Sequence, residues 1–263
     1  MAIRVPFRSR ADGGDQGPTE GRMTLMEHLA ELRNRLFISV AAVIVAGLIG
    51  FFLYPQILHF LQEPLREATK GKSCSSGFGD CSKLITTDYL QPFIIRLKIA
   101  MYFGILVASP VVLWEIWRFV TPGLNTKERK YALPFLLSTV VLFLLGAVVA
   151  WFTLPKALSF LIGIGGNSLN VHSTANSYVT LVGLMFLAFG LSFEFPVILI
   201  FLMLVNVLKT DWLRKYRRHA IVGIVIFAAV ITPSQDPYSL FLMAVPMYIF
   251  YEASIIIGRI LKR

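Results

Sequence analysis

Charged side chains are scarce in this sequence: Asp, Glu, Lys and Arg make up 15% of its 263 residues, against 56% hydrophobic. A soluble globule carries about a quarter charged residues, and a water-facing surface cannot be built from so few. The bilayer is the expected solvent. Enzymatic constellations are missing as well. There is no H-E-x-x-H, no C-x-x-C and no Gly-rich phosphate loop, and none of the histidines (His28, His59, His172, His219) falls mid-span. An intramembrane serine hydrolase needs a serine with a His or Lys at the same depth, and neither partner is visible. Catalysis, a metal and a cofactor are all excluded as readings.

The charge that is present is mostly positive, with a net of +10. Basic patches can bind phosphate, yet the Lys and Arg stand in short clusters between apolar runs and no cluster interleaves aromatics. No nucleic acid is expected. Residues 1–22 are polar and Gly-rich with no apolar core, and read as a disordered tail rather than a leader or a span.

Apolar runs over 36–54, 92–119, 132–154 and 179–208 each reach the ~20 residues that a hydrocarbon core of about 30 Å demands. Two further runs, 220–232 and 239–251, are shorter, stopped by Pro233 to Pro237 and by Glu252 respectively. They form either one re-entrant hairpin or two short spans in locally thinned lipid. The second version is the one carried forward. The expected fold is an all-α integral membrane protein with six transmembrane helices, the fifth and sixth short. Most of the Lys and Arg then fall on one face, in the tail, the loops after the second and fourth spans, and the carboxy-terminal end. By the positive-inside rule both termini are cytoplasmic. The remainder, 55–91, becomes the first outer loop, with Cys74 and Cys81 in a Gly/Ser-rich stretch. Six intervening residues can close a small disulfide loop on an oxidising face. The alternative is two free thiols in a flexible insertion.

Three carboxylates stand out. Leu25, Leu29, Leu32 and Leu36 share one helical face just before the first span, and Thr24 with Glu27 has capping-box spacing. Residues 23–35 therefore read as an amphipathic helix in the interface, with Glu31 on its polar side. Glu31 is either one half of an i,i+4 pair with Arg35 or a carboxylate kept available for a cationic ligand. Glu128 is the one acid within Lys127-Glu128-Arg129-Lys130, and it serves either as a cap with Asn125 or as a second guanidinium acceptor. Glu194 lies inside the fourth span, next to Pro196. An ionisable group at mid-bilayer costs roughly 2.5–3.5 kcal/mol or more and marks function by default, the alternative being a protonated Glu that bridges helices.

A resemblance is carried by many ordered stretches. His28-Leu29-Ala30-Glu31-Leu32-Arg33-Asn34-Arg35-Leu36 resembles the amino-terminal signature of the TatC family, the core of the twin-arginine protein translocase. Glu63-Pro64-Leu65, Thr87-Asp88, Ser109-Pro110, Trp117 through Leu124, Ser192-Phe193-Glu194-Phe195-Pro196, Thr232-Pro233 and Ala244-Val245-Pro246 match in order, over about residue 23 to the end.

The resemblance implies a cupped six-helix receptor in a prokaryotic cytoplasmic membrane. It would bind twin-arginine signal peptides of folded cargo, and export would be driven by the proton-motive force. It implies that Glu31 and Glu128 recognise the paired arginines, with Arg33, Pro64 and Phe119 among the signal-peptide positions. It places Glu194, Thr232 and Asp236 toward small single-span partners of the TatA/TatB type, with self-association of the receptor expected. The Gly/Ser/Cys insert is not a usual family feature, so no role transfers to Cys74 or Cys81. Nor is the residue pair Ser234-Gln235 before Asp236, or Leu240 where a polar Gln is common. The rival class is a proton-coupled secondary transporter using Glu194, which predicts inverted repeats, and no matching halves are found. If Cys74 and Cys81 are bonded, maleimide will label neither until the protein is reduced; full labelling without reductant shows free thiols.

Overall fold

The computed structural model describes residues 25–70, 84–121, 132–164, 174–234 and 236–260. Those residues fold as helices in the order α1 (Leu25–Phe52), α2 (Tyr54–Thr69), α3 (Gln91–Val120), α4 (Ala132–Ile164), α5 (Ala175–Phe193), α6 (Phe195–Leu204), α7 (Thr210–Lys215), α8 (Arg217–Ile231) and α9 (Pro237–Ile260). The extended backbone amounts to one isolated parallel bridge between Ile85 and Thr174. Among the described residues, five helical stretches are long and apolar enough to cross a membrane: α1, α3, α4, α5 with α6, and α9.

The interfacial segment and the first span are one uninterrupted helix. At 28 residues, α1 is about 42 Å long at 1.5 Å per residue, so its polar first turns project beyond a core of about 30 Å. The region read as an outer loop holds α2, a 16-residue helix with Pro55 in its first turn. Its apolar face follows Ile57, Leu58, Leu61 and Leu65, and Leu65 is fully buried. Phe60 of α2 stacks on Trp151 of α4 at 4.1 Å. The sixth helix is not short. α9 has 24 residues and runs past Glu252, because that carboxylate accepts a hydrogen bond from Arg217 at 2.7 Å and so has no need to leave the helix for water. The fifth remains short: α8 has 15 residues, about 22 Å.

Prolines and their neighbours shape the rods. Pro110 cannot donate to the Leu106 carbonyl, and Ser109 supplies the missing donor, its hydroxyl reaching Leu106 O at 2.8 Å. Near Pro64, the hydroxyl of Tyr178 donates to the Leu61 carbonyl, tying α5 to α2. Pro196 lacks the amide that would satisfy Ser192 and disfavours helical geometry at Phe195, so the fourth span breaks at Glu194, between α5 and α6. Two residues past the end of α6, Asn206 has a φ of 59°, a left-handed turn. The amides of Asn206 and Val207 close back on Met203 and Leu202 there, a Schellman motif.

Antiparallel pairing fixes which ends meet. Arg35, early in α1, meets Glu115, late in α3, while Arg96, early in α3, donates to the Phe51 carbonyl at 3.0 Å and stacks over the Phe51 ring. Between these two ties the backbones nearly touch. A Cβ on Gly104 would lie 2.7 Å from the Val43 carbonyl oxygen and 3.0 Å from Gly47 Cα, the close approach that small residues permit between lipid-embedded helices. Trp117 of α3 packs on Phe135 of α4 and Phe201 of α6, and Gly258 near the end of α9 lies against Met203 and Thr210. The start of α1 and the end of α9 therefore share one end of the bundle.

Gly104→Val is expected to force α1 off α3, costing about 1–3 kcal/mol of stability and lowering the midpoint of thermal unfolding in detergent. Gly223→Val, with nothing within 4 Å of the added carbon, should leave that midpoint unchanged.

Candidate functional site

At the end of the bundle where α1 begins and α3 finishes, three charged side chains form one cluster. Arg35 donates from Nη2 and Nε to Glu31 Oε1 at 2.6 and 3.2 Å, and from Nη1 to Glu115 Oε2 at 2.8 Å. One turn of α1 brings Glu31 under Arg35, and the close seam below brings Glu115 across from α3. Glu115 is buried, with a side chain 8% exposed, and Glu31 is 19% exposed. The second oxygen of Glu31, Oε2, is shielded and has no hydrogen-bond partner among the described residues. The cluster opens into a concavity of about 740 Å³ lined by Glu27, Glu31, Asn34, Arg35 and Arg118, among others.

The sequence-predicted residues distribute unevenly around it. Phe119 belongs to this end: it stacks on His28 of α1 with ring centroids 4.4 Å apart. Arg33 is exposed and, two residues from Glu31, points about 200° around the helix. Pro64 lies buried within α2, toward the opposite end of the bundle. Glu128, Cys74 and Cys81 lie outside the described residues. Glu115 escaped the sequence reading, although the rule that singled out Glu194 applies to it equally: an acid inside an apolar run needs a partner or a function. Lys98 is a second omission. It sits inside α3 and donates to Asn176 and Thr180 of α5 at 2.7 and 2.9 Å.

The predicted partner-facing residues gather elsewhere. Glu194 occupies the break between α5 and α6, is 7% exposed, and its Oε1 has no hydrogen-bond partner among the described residues. Ser192 beside it donates to the sulfur of Met243 in α9 at 3.4 Å, and Thr232 at the end of α8 lies 3.6 Å from the same sulfur. Met243 therefore joins three helices. Thr232 is buried and donates back to Ala228 O at 2.6 Å. Asp236 is buried too, and its Oδ1 accepts from the Ser239 amide at 2.7 Å, an N-cap for α9. A separate apolar cavity of about 390 Å³ lies between α2, α3 and α5, walled by Phe60, Tyr102, Leu106 and Phe186 among others.

Fold and site together define a polytopic helical membrane protein with a charged cluster at one end of the bundle and a carboxylate at a broken helix within it. A family model described as Sec-independent protein translocase protein (TatC) matches residues 27–246. A relative of that description from Frankia casuarinae is 42% identical over 91% of this chain, which spans 66% of the relative's length. One from Carboxydothermus hydrogenoformans is 36% identical over 91% of this chain and 94% of its own. A crystal structure of the twin arginine translocase receptor TatC matches with a TM-score of 0.72 at 33% identity, covering 90% of this chain and all of that one. The chain belongs to the TatC family.

Asp236→Ala removes the acceptor for the Ser239 amide and is expected to cost about 1 kcal/mol of stability, read as a lower unfolding midpoint. Asp236→Asn keeps a capping oxygen and should retain most of it.

Proposed function

We propose that this chain is the receptor for twin-arginine signal peptides and the core of a translocase that exports folded proteins across a prokaryotic cytoplasmic membrane, driven by the proton-motive force. The observation that carries this reading is Glu31: a carboxylate with one oxygen held by Arg35 and the other shielded and without a partner among the described residues, at the wall of an open concavity. Such an oxygen is an acceptor for a further charge-assisted hydrogen bond. Glu128 is the second acceptor of the pair in this reading, as the family resemblance implies. The planar fork of a guanidinium suits a carboxylate better than a compact ammonium does, which is the chemical basis for preferring Arg-Arg over Lys-Lys.

In this reading the Glu31 end of the bundle is cytoplasmic and both termini lie there. The chain crosses the membrane six times, α8 being the short crossing that thins the lipid around it. Partner single-span subunits dock along α5, α6, α8 and α9, where Glu194 stands at the helix break. Thr232 and Asp236 contribute by holding the α8–α9 hairpin in shape, and copies of the receptor self-associate. A proton-coupled solute carrier is disfavoured, since the site at the open concavity is an anion cluster suited to a cationic peptide.

A fluorescent Arg-Arg signal peptide should bind the purified full chain in nanodiscs at least tenfold more tightly than its Lys-Lys counterpart, and Glu31→Gln should remove most of that preference. Equal binding of both peptides by the unaltered chain would overturn the receptor reading.

A further inference from the structure

An acid and an arginine at i,i+4 on a helix ordinarily neutralise one another, and a Glu31 spent on Arg35 would have little left for a ligand. The structure resolves this with a third residue. Arg35 divides its guanidinium, giving Nε and Nη2 to Glu31 and Nη1 to Glu115. Two carboxylates thus share one cation, and among the described residues the cluster is one positive charge short of neutral. The shortfall sits at Glu31 Oε2, the shielded oxygen without a partner among the described residues. Glu115 is too deeply buried to meet a peptide first: its side chain is 8% exposed, against 19% for Glu31, and it does not line the concavity. Its reach is to Arg35.

We propose that Glu115 is a positioning residue for guanidinium recognition, one that draws Arg35 toward α3 and so keeps Glu31 a half-occupied acceptor. Arg35 then serves as a resident placeholder. With the site empty it bridges the two acids, which would otherwise repel each other. When a signal-peptide arginine arrives at Glu31, Arg35 shifts its hydrogen bonds toward Glu115, so no buried charge is left unpaired during the exchange. An ammonium at the same place cannot form two parallel bonds to one carboxylate, so the exchange favours arginine. The inference rests on the receptor reading above and adds to it a residue and a mechanism of selection.

The test is a mutant cycle on the full chain in nanodiscs, read as the dissociation constant of the fluorescent Arg-Arg peptide, with thermal unfolding followed for each variant. Glu115→Gln should weaken binding about tenfold or more, because Arg35 collapses fully onto Glu31. The double variant Arg35→Gln/Glu115→Gln should return to within about threefold of the unaltered protein, since no resident cation then competes for Glu31; a role for Glu115 in packing alone predicts no such rescue. Unchanged binding in Glu115→Gln, or a double variant as weak as the single, would overturn the inference. If Glu115→Gln does not fold, Arg35→Gln is compared with the double variant. With the arginine gone Glu115 has nothing to hold, so the two should bind alike, and a tenfold gap would count against it. Loss of binding in Glu31→Gln with none in Glu115→Gln would remove this inference and leave the receptor reading standing.

Discussion

The seam between α1 and α3 is the constraint on which the candidate site depends. Hydrocarbon offers helices no hydrophobic reason to associate, so contact must come from close packing and from polar groups that find each other. Gly47 and Gly104 bring the two backbones within touching distance, and charged ties close both ends, Arg96 on Phe51 at one and Arg35 on Glu115 at the other. The short distance in the middle is what allows a glutamate on α3 to reach an arginine on α1. Widen the seam and the acid pair separates into an ordinary i,i+4 bridge and a buried, unpaired carboxylate.

A second pattern follows from the same solvent. Several buried polar groups here stand where a proline or a helix end has already disturbed the backbone. Ser109 answers the carbonyl that Pro110 orphans, Asp236 caps the helix that Pro237 begins, and Glu194 marks the break that Pro196 imposes. Glu194 Oε1 has no protein partner among the described residues. Leaving a buried polar atom unmatched is expensive in lipid, and that is the physical ground for the proposal that a partner meets it.

The short α8 is legible as a run cut off by Pro233, while the length of α9 is not legible at all. Glu252 interrupts the apolar run and reads as an end. In three dimensions it is a side chain facing Arg217 at the start of α8, so the helix continues to Ile260. Likewise α2 is hidden by its modest apolarity: hydropathy alone marks it as a loop, and its helical period shows only when Ile57, Leu61 and Leu65 are read as a face that buries against its neighbours.

By itself the sequence determined the solvent, the approximate limits of the first four apolar runs and the family to which the chain belongs. These are properties of composition, local period and motif, which need no knowledge of what lies across the bundle. Tertiary structure alone decided that Glu31 shares Arg35 with Glu115, that His28 stacks on Phe119, and that Thr232 and Ser192 meet on one methionine. Each of these joins residues far apart in the chain, and only the closeness with which small side chains let helices pack can bring such pairs within hydrogen-bonding reach.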